Sequence, residues 1–432
     1  MEPILRINAG TPMTETVLAK YIRKNDNFCN RYKKLWDAYN NDYQIYKRRN
    51  KASWKPDNRV SVNFARFIVD TFEGFFLGNP VKISGTDEDA VAYAEFVSSY
   101  NTQEDTDAEL STIVSIFGRG YELYFVDEDG EIQTAELDPM EAFMIYDESL
   151  KPKPLYFVRT YTGSDRIRRG SISDGVSVRY FTVTPSVRFT GEEHPHGFDG
   201  VPAVEFVQNR ARRGIFEDVL PLIDEYNKAL SEKANDVDAF ADAYLKILGA
   251  KLDEATIKFI RDNRVISFPG NAKDLAVEFM QKPDADATQE HLLERIERLI
   301  FTVAMVCNIS DDNFATTSGI ALKYKMMPML NLMRTKERKF AGAFARRWKL
   351  IFSNPVSGMN TDAWTTLKFQ FTPNYPPDIA DEAQTAGALL GVTSKRTALS
   401  VLSVVKSPDE EMERIEQEED IAGGMPVIRD GQ

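Results

Sequence analysis

Residues 215–248 read IFEDVLPLIDEYNKALSEKANDVDAFADAYLKIL, and this stretch is the most informative about the architecture of the chain. From Val219 onward, apolar residues recur at intervals of three and four over roughly thirty residues, which predicts one amphipathic helix about 45 Å long. The other face of the predicted helix is acidic, and its carboxylates are Asp218, Asp224, Glu225, Glu232, Asp236, Asp238 and Asp242.

A second long helix is predicted for residues 286–308, where Leu292, Leu293, Ile296, Leu299 and Ile300 keep helical spacing. Between the two helices, residues 249–285 predict a small insert with one short helix, DEATIKFIRD, and two strands, RVISFPG and LAVEFMQ. We therefore expect two antiparallel helices with a small α/β insert at one end.

Upstream of the helices, the sequence predicts an α+β region. Two helices are expected in the first fifty residues, the first with Thr14 as N-cap. In RVSVNFARFIVDTFEGFFLGN (59–79), the apolar residues fit one helix face. The stretch GRGYELYFVDEDGEIQTAELDP (118–139) predicts a hairpin that turns at Asp129-Gly130. Further strands form an antiparallel meander that ends near Val207.

Downstream, the polar residues 309–318 break the helical pattern, and a long helix follows from Gly319 to residue 353. Pro328 is expected to kink it. A strand, TLKFQFTP, and a helical tail come next. The long helix is strongly basic, because its one acid is Glu337 and its cations are Lys323, Lys325, Arg334, Lys336, Arg338, Lys339, Arg346, Arg347 and Lys349. We therefore expect it either to bind nucleic acid or to pack between acidic neighbours, including neighbours from other subunits.

Composition excludes several classes of protein. The 432 residues carry 53 Lys and Arg against 66 Asp and Glu, a formal net charge of −13, which argues against tight wrapping of DNA. Two cysteines and three histidines disfavour a disulfide framework and a cysteine- or histidine-rich metal site. The sequence has no long apolar run and no secretory signal pattern, so we expect no membrane span and a cytoplasmic site of synthesis.

Catalytic signatures are scarce. The sequence contains no Walker A loop, GxGxxG, HExxH or GxSxG motif. Glu192-Glu193-His194-Pro195-His196 is the best metal candidate, although a polar loop explains it more simply. His291 and Glu294 favour a surface pair. Asp311 and Asp312 leave open a metal-dependent nuclease site.

Three segments carry a family resemblance in their order and spacing: FARFIVDTFEGFFLGNPV (64–81), NFATTSGIALK (313–323) and FTPNYPPDIADEAQTA (371–386). Together with the order of elements, they make the chain resemble the portal (head–tail connector) proteins of long-tailed bacteriophages and their prophage relatives. The resemblance spans nearly the whole chain.

The resemblance implies a portal-protein fold of the α+β class. Its parts would be a wing with an N-terminal helical region (1–50) and an α+β domain (51–214), stem helices (215–248 and 286–308), a clip (249–285), a tunnel loop (309–318), a long kinked helix with a wing strand (319–380), and crown helices with a C-terminal tail (381–432).

The resemblance also implies a function: a dodecameric ring at one capsid vertex of the virion, assembled in the host bacterial cytoplasm. The ring would pass double-stranded DNA non-specifically during packaging and ejection. Its expected partners are the terminase large subunit, a head–tail adaptor, and the scaffold and major capsid proteins. No catalysis, cofactor or metal is implied.

Two sets of residues would meet the DNA. The tunnel loop would contribute Ser310, Asp311, Asp312, Asn313, Phe314, Ala315, Thr316 and Thr317. The stem would line the channel with Asp224, Glu225, Glu232, Asp236, Asp238 and Asp242, whose carboxylates would repel phosphate and let the duplex slide.

Two other functions remain open from sequence alone. One is the metal-dependent nuclease at Asp311 and Asp312. The other is a monomeric helical adaptor that binds protein partners through residues 381–432.

Overall fold

Thr14 caps the first helix as predicted: its side-chain oxygen accepts a hydrogen bond from the Val17 N–H. The computed structural model describes residues 4–52, 55–241, 245–248, 276–279, 286–308, 324–374, 379–402, 404–405 and 407–423. After a short strand β1 (Leu5–Arg6), helix α1 runs unbroken over Glu15–Tyr39. The prediction of two helices here is wrong, because neither glycine nor proline interrupts residues 15–39.

Three further helices and a strand follow α1: α2 (Phe64–Phe76), β2 (Lys82–Gly85), α3 (Glu88–Tyr100) and α4 (Gln103–Phe117). The predicted apolar face of α2 is confirmed, since Phe64, Ile68, Phe72 and Phe75 are all buried. Gly118 ends α4 with φ +85°, and a Cβ there would lie 2.2 Å from the Arg212 carbonyl oxygen. Only glycine fits this C-cap.

The predicted hairpin is confirmed. Strands β3 (Arg119–Val126) and β4 (Ile132–Leu137) pair antiparallel from Tyr121 opposite Leu137 to Val126 opposite Ile132. Gly130 has φ +86° in the turn, a conformation that glycine adopts at little cost.

The predicted antiparallel meander is confirmed except for its end, which lies at Pro195 and not near Val207, because the strand that contains Val207 pairs with β3 in another sheet. Its strands are β5 (Ala142–Tyr146), β6 (Pro154–Thr162), β7 (Arg168–Ser173), β8 (Ser177–Val183) and β9 (Val187–Pro195). β1 adds to β5 in parallel, which gives a sheet of order β1-β5-β6-β7-β8-β9. A separate sheet has the order β10-β3-β4, in which β10 is Ala203–Val207.

The two long helices are α5 (Leu220–Ala241) and α6 (Asp286–Ala304), which pack against each other. The prediction of one helix through residue 248 is wrong, because β11 (Leu245–Leu248) pairs antiparallel with β12 (Ala276–Phe279). Pairing with a partner distant in sequence overrides a helical pattern that short apolar runs carry only weakly. Strand β12 lies inside the predicted strand LAVEFMQ, and the other predicted elements of the insert lie outside the described residues.

Helix α7 (Met327–Ser353) follows a turn at Met326. Pro328 lies in its first turn, where a missing N–H costs no intrahelical bond, so the proline begins this helix instead of kinking its interior. Short 3₁₀ turns (Pro355–Ser357 and Ala363–Thr366) lead to β13 (Leu367–Gln370), which pairs antiparallel with β2.

The carboxyl-terminal unit, 373–432, contains α8 (Ile379–Leu389), α9 (Lys395–Leu399) and α10 (Pro408–Gly423). Ser394 caps α9 by accepting the Thr397 N–H. Helix α10 is strongly acidic in its first turn. Throughout the described part of the chain, every helix is too short or too polar to cross a membrane.

Candidate functional site

A row of polar side chains on α5 holds an extended stretch of backbone. Asn227, Ser231 and Asn235 are spaced four residues apart and are buried. Each accepts a hydrogen bond from a backbone N–H of the segment 58–62: Asn235 Oδ1 from Asn58 at 2.6 Å, Ser231 Oγ from Val60 at 3.0 Å, and Asn227 Oδ1 from Val62 at 2.8 Å.

The spacing explains why this row works. Four residues of a helix rise about 6 Å, and two residues of extended chain span about 6.7 Å, so every second N–H meets the next side chain. The helix thereby satisfies backbone donors that a neighbouring strand would satisfy in a sheet. The pattern Asn-x₃-Ser-x₃-Asn was visible in the sequence, but this contact was not predicted from it.

The predicted channel acids on α5 mostly have partners within the same chain. Asp224 is half-buried, and burial raises the pKa of its carboxyl. Asp242 lies outside the described residues. The other four contact neighbouring side chains: Glu225 contacts Lys228 at 3.1 Å, Glu232 contacts Lys51 at 2.8 Å, Asp236 accepts from Gln289 at 3.3 Å, and Asp238 accepts from Asn58.

The tunnel-loop residues predicted to meet DNA, Ser310 to Thr317, all lie outside the described residues. So do Asp311 and Asp312 as candidates for a nuclease site. Their assignment remains a prediction.

Helix α6 has an apolar stripe on its outside, formed by Leu292, Leu299 and Val303. These side chains are 50%, 40% and 51% exposed, and at 100° per residue they lie within about 40° of each other around the helix. The buried residues Leu293 and Ile300 lie on a different face of α6 from the stripe. The three side chains therefore leave apolar surface open to solvent along α6.

Helix α7 carries a lysine into the core. The Lys336 ammonium is fully buried and lies 2.6 Å from Glu73 Oε1 and 2.9 Å from Ser115 Oγ. It also donates to the Ser111 carbonyl oxygen at 3.0 Å, and the Ser111 and Ser115 hydroxyls donate to the Glu73 carboxylate. Burial lowers the pKa of Lys336 to about 8, although Glu73 opposes the shift.

Aromatic rings complete the surroundings of this ammonium. The centroids of Phe72, Phe76 and Phe340 lie 5.0 to 5.3 Å from Lys336 Nζ. Rings at this distance attract a desolvated cation. The buried Lys336 ammonium therefore has the Glu73 carboxylate as its ion-pair partner, and a buried charge needs such a partner to be stable.

A second buried cation lies three turns along α7. The Arg347 guanidinium contacts Asp107 at 2.5 Å and Glu122 at 2.8 Å. Glu122 also accepts from Gln103 Nε2 at 2.9 Å and from the Tyr124 hydroxyl at 2.5 Å. Burial raises the pKa of Glu122, and Arg347 opposes this by favouring the charged carboxylate.

These pairs confirm that the basic helix packs against acidic neighbours, but for Lys336 and Arg347 those neighbours belong to the same chain. Lys336 and Arg347 do not face other subunits, because acids on α2, α4 and β3 of the same chain neutralise them. Arg334, Arg338 and Lys349 remain exposed. Glu73, an acid directly between Phe72 and the phenylalanines at the end of α2, was the signal that could have revealed the first pair.

The Glu192–His196 cluster shows no arrangement for a metal. The His196 ring lies with Nε2 3.2 Å from the Asp174 carbonyl oxygen, and its Nδ1 accepts the Phe198 N–H at 3.2 Å. Burial lowers the pKa of His196. Among the described residues, no group of three or more His, Cys, Asp or Glu side chains could hold a metal ion.

Similarity to solved structures is low. Chains from the neck of a native GTA particle, with C12 symmetry, and of an empty one, with C6 symmetry, give TM-scores of 0.43 and 0.42. Both are 12% identical, and each alignment covers 78% of this chain and 89% of the other.

Similarity to known sequences is broader. The chain is 23% identical over 396 residues to the portal protein of Bacillus phage SPP1, covering 84% of this chain and 76% of that protein. It is 20% identical over 371 residues to the portal protein of Clostridium phage phiCD119, covering 79% and 81%. The family model described as "Phage portal protein, SPP1 Gp6-like" matches residues 18–424. Since that match spans most of the sequence, the chain belongs to the SPP1 Gp6-like family of phage portal proteins.

Proposed function

We propose that this chain assembles into a dodecameric ring at a single capsid vertex. The ring forms the channel through which double-stranded DNA enters the capsid during packaging and leaves it during ejection. Family membership supports this role, and the apolar stripe of α6 is the observation that carries it.

We expect the stripe to be covered by an apolar surface of another copy of this chain. Leu292, Leu299 and Val303 expose apolar surface along a long helix, which water disfavours. The acidic α5 packs beside α6 in the same chain and leaves the stripe uncovered. A contact between unlike surfaces of successive copies would cover it and generates a closed ring when the rotation closes.

The channel surface is proposed to be acidic. Asp224, Glu225, Asp236 and Asp238 would present carboxylates toward the duplex, with Asp242 beyond them, while the tunnel loop (309–318) touches the DNA. Glu225 and Glu232 contribute less repulsion, because the ammonium groups of Lys228 and Lys51 pair with them and offset their charge. A surface that repels phosphate lets a duplex slide without being gripped.

The proposed role is structural. The ring docks the terminase large subunit, whose motor hydrolyses ATP, and later a head–tail adaptor. Scaffold and major capsid proteins surround it as the capsid assembles in the host cytoplasm. The chain itself then needs no catalysis, cofactor or metal.

Leu299→Glu tests ring assembly. A carboxylate in the middle of the stripe places a desolvated charge in the subunit contact, so we expect sedimentation to show subunits in place of rings. Leu150→Glu is the matched control, because Leu150 is 99% exposed in the turn between β5 and β6. Rings of Leu299→Glu as stable as those of Leu150→Glu would overturn the assignment of the stripe.

Deletion of residues 311–316 tests the tunnel loop. Rings should still assemble, because the deletion leaves α6 and α7 in place, but packaging of DNA should stop. Loss of ring assembly in the deletion variant would contradict the loop assignment.

A further inference from the structure

The exposed side of α7 carries a basic edge, which we define as Arg334, Arg338 and Lys349. At 100° per residue these three side chains lie within about 60° of one another, over a rise of about 22 Å. Within the described residues none of them makes an ion pair. Small residues lie between the cations, and a Cβ on Gly342 would meet no atom within 4 Å. The edge is therefore charged and open at Gly342, and the Lys349 ammonium at its far end lies 6.0 Å from the centroid of the Trp364 ring.

An acidic groove of about 640 Å³ lies between α1, α2, α4 and β4. Its charged lining is entirely acidic among the described residues: Glu73, Asp105, Glu109, Glu136, Asp138 and Glu141. Asp105, Glu109, Glu136 and Glu141 are exposed and form no ion pair in the described part of the chain. The aromatic rings of Trp36 and Tyr39 also line the groove, and Trp36 is 43% exposed.

The two surfaces match in spacing as well as in charge. Arg334 and Arg338 are four residues apart on α7, and Asp105 and Glu109 are four residues apart on α4. Both pairs are therefore separated by about 6 Å along their helices. Arginine also stacks on aromatic faces such as the exposed Trp36 ring.

A single subunit cannot bring these surfaces together. Arg334 and Arg338 point about 160° away from Lys336, which binds Glu73 of α2 and the serines of α4. The groove side of α4, with Asp105 and Glu109, lies about 120° from the side that carries Ser111 and Ser115. Edge and groove thus face different directions on one subunit, and each needs a neighbour.

We propose that the basic edge of α7 in one copy docks into the acidic groove of the next copy. This proposal rests on the proposed ring and names one of its subunit contacts. The edge and the groove are different surfaces, so the contact is heterologous and propagates around a ring. Buried between subunits, Arg334 and Arg338 would contact Asp105 and Glu109.

Charge reversal tests the contact. The double variant Arg334→Glu/Arg338→Glu and the double variant Asp105→Lys/Glu109→Lys should each fail to form rings, because each places like charges opposite one another. An equal mixture of the two should recover rings of alternating subunits, since every second contact then joins two unmodified surfaces and the others join reversed, opposite charges. Sedimentation and electron microscopy measure the fraction in rings.

Controls separate this contact from folding and from the ring itself. Lys339→Glu changes an exposed charge on α7 away from the edge and should leave ring assembly unchanged. Gly342→Phe adds bulk where the single subunit has open space, so its fold should persist while its rings are lost. Circular dichroism checks each fold.

The outcomes are distinct. Recovery of rings in the mixture supports the proposal. Rings formed by either double variant alone, or a mixture of folded variants that stays dissociated, would overturn it while leaving the portal ring intact. If the unmodified chain forms no rings at any concentration, the proposed function fails together with this contact.

Discussion

The buried side of α7 and the exposed side of α5 both carry charged side chains, but the surroundings of these charges differ. On α7, Lys336 and Arg347 are buried against acids on other elements. On α5, Glu225 and Glu232 pair with lysines near the surface. The first arrangement fixes α7 against α2, α4 and β3, because a buried charge has no alternative to its partner. The second leaves charge near the surface, where water screens it.

The largest effect is expected from breaking one buried pair. Lys336→Met leaves the Glu73 carboxylate buried without its cation, which should lower the free energy of unfolding by about 3–5 kcal/mol. Urea unfolding of the subunit measures it. Lys339→Met, at an exposed position on the same helix, should change it by less than about 0.5 kcal/mol. Equal effects of the two substitutions would contradict the contrast between the two faces.

A matched pair of substitutions tests whether the cost comes from the isolated charge. Adding Glu73→Gln to Lys336→Met removes both charges and should recover part of the lost stability, because no isolated charge remains. The double variant being less stable than Lys336→Met would mean that Glu73 acts mainly through Ser111 and Ser115.

The buried lysine also predicts a pH dependence. Its pKa of about 8 lies below the ordinary 10.5, so between these values the unfolded chain binds a proton that the folded chain has lost. The contribution of Lys336 to stability should therefore rise as pH increases from about 8 to 10.5. Urea unfolding should show that the free energy of unfolding of the parent, relative to that of Lys336→Met, is larger at pH 9.5 than at pH 7.5. A constant difference would refute the depressed pKa.

A smaller effect is expected at the polar row of α5. Asn235→Ala removes the acceptor of the Asn58 N–H and should cost about 1 kcal/mol. Lys228→Ala on the exposed side of the helix is the control. If hydrogen exchange at residues 58–62 were as slow in Asn235→Ala as in the control, the row would not hold this segment.

The smallest effect is expected at the surface pair. Glu232→Gln weakens the exposed contacts of this side chain with Lys51 and with the Asn235 amide, and such surface pairs contribute about 0.2–1 kcal/mol. Its effect on urea unfolding should fade with added salt. A salt-independent loss as large as that of Lys336→Met would erase the distinction between the two faces.

Local signals made much of the fold predictable. Thr14 at a cap, the phenylalanines of α2 and Asp129-Gly130 in a turn each specify structure through nearby residues. Partners distant in sequence were not predictable in the same way. Strand β11 depends on β12, and the extended segment 58–62 depends on α5.

In the candidate site too, local patterns were predictable from the sequence and contacts between distant residues were not. The acidic face of α5 was visible as a pattern, but the partners of its carboxylates were not, because Lys51 is 181 residues from Glu232 in the sequence. Likewise, the cations of α7 were visible, yet only the structure separates Lys336 from Arg334. Periodicity shows which side chains share a helix face, and tertiary packing decides which face is buried.

The proposed ring is tested most directly by negative-stain electron microscopy of the purified chain, with class averages viewed down the particle axis. We expect closed rings with a central hole, formed by copies of this one chain. Small asymmetric particles at every protein and salt concentration would contradict the ring.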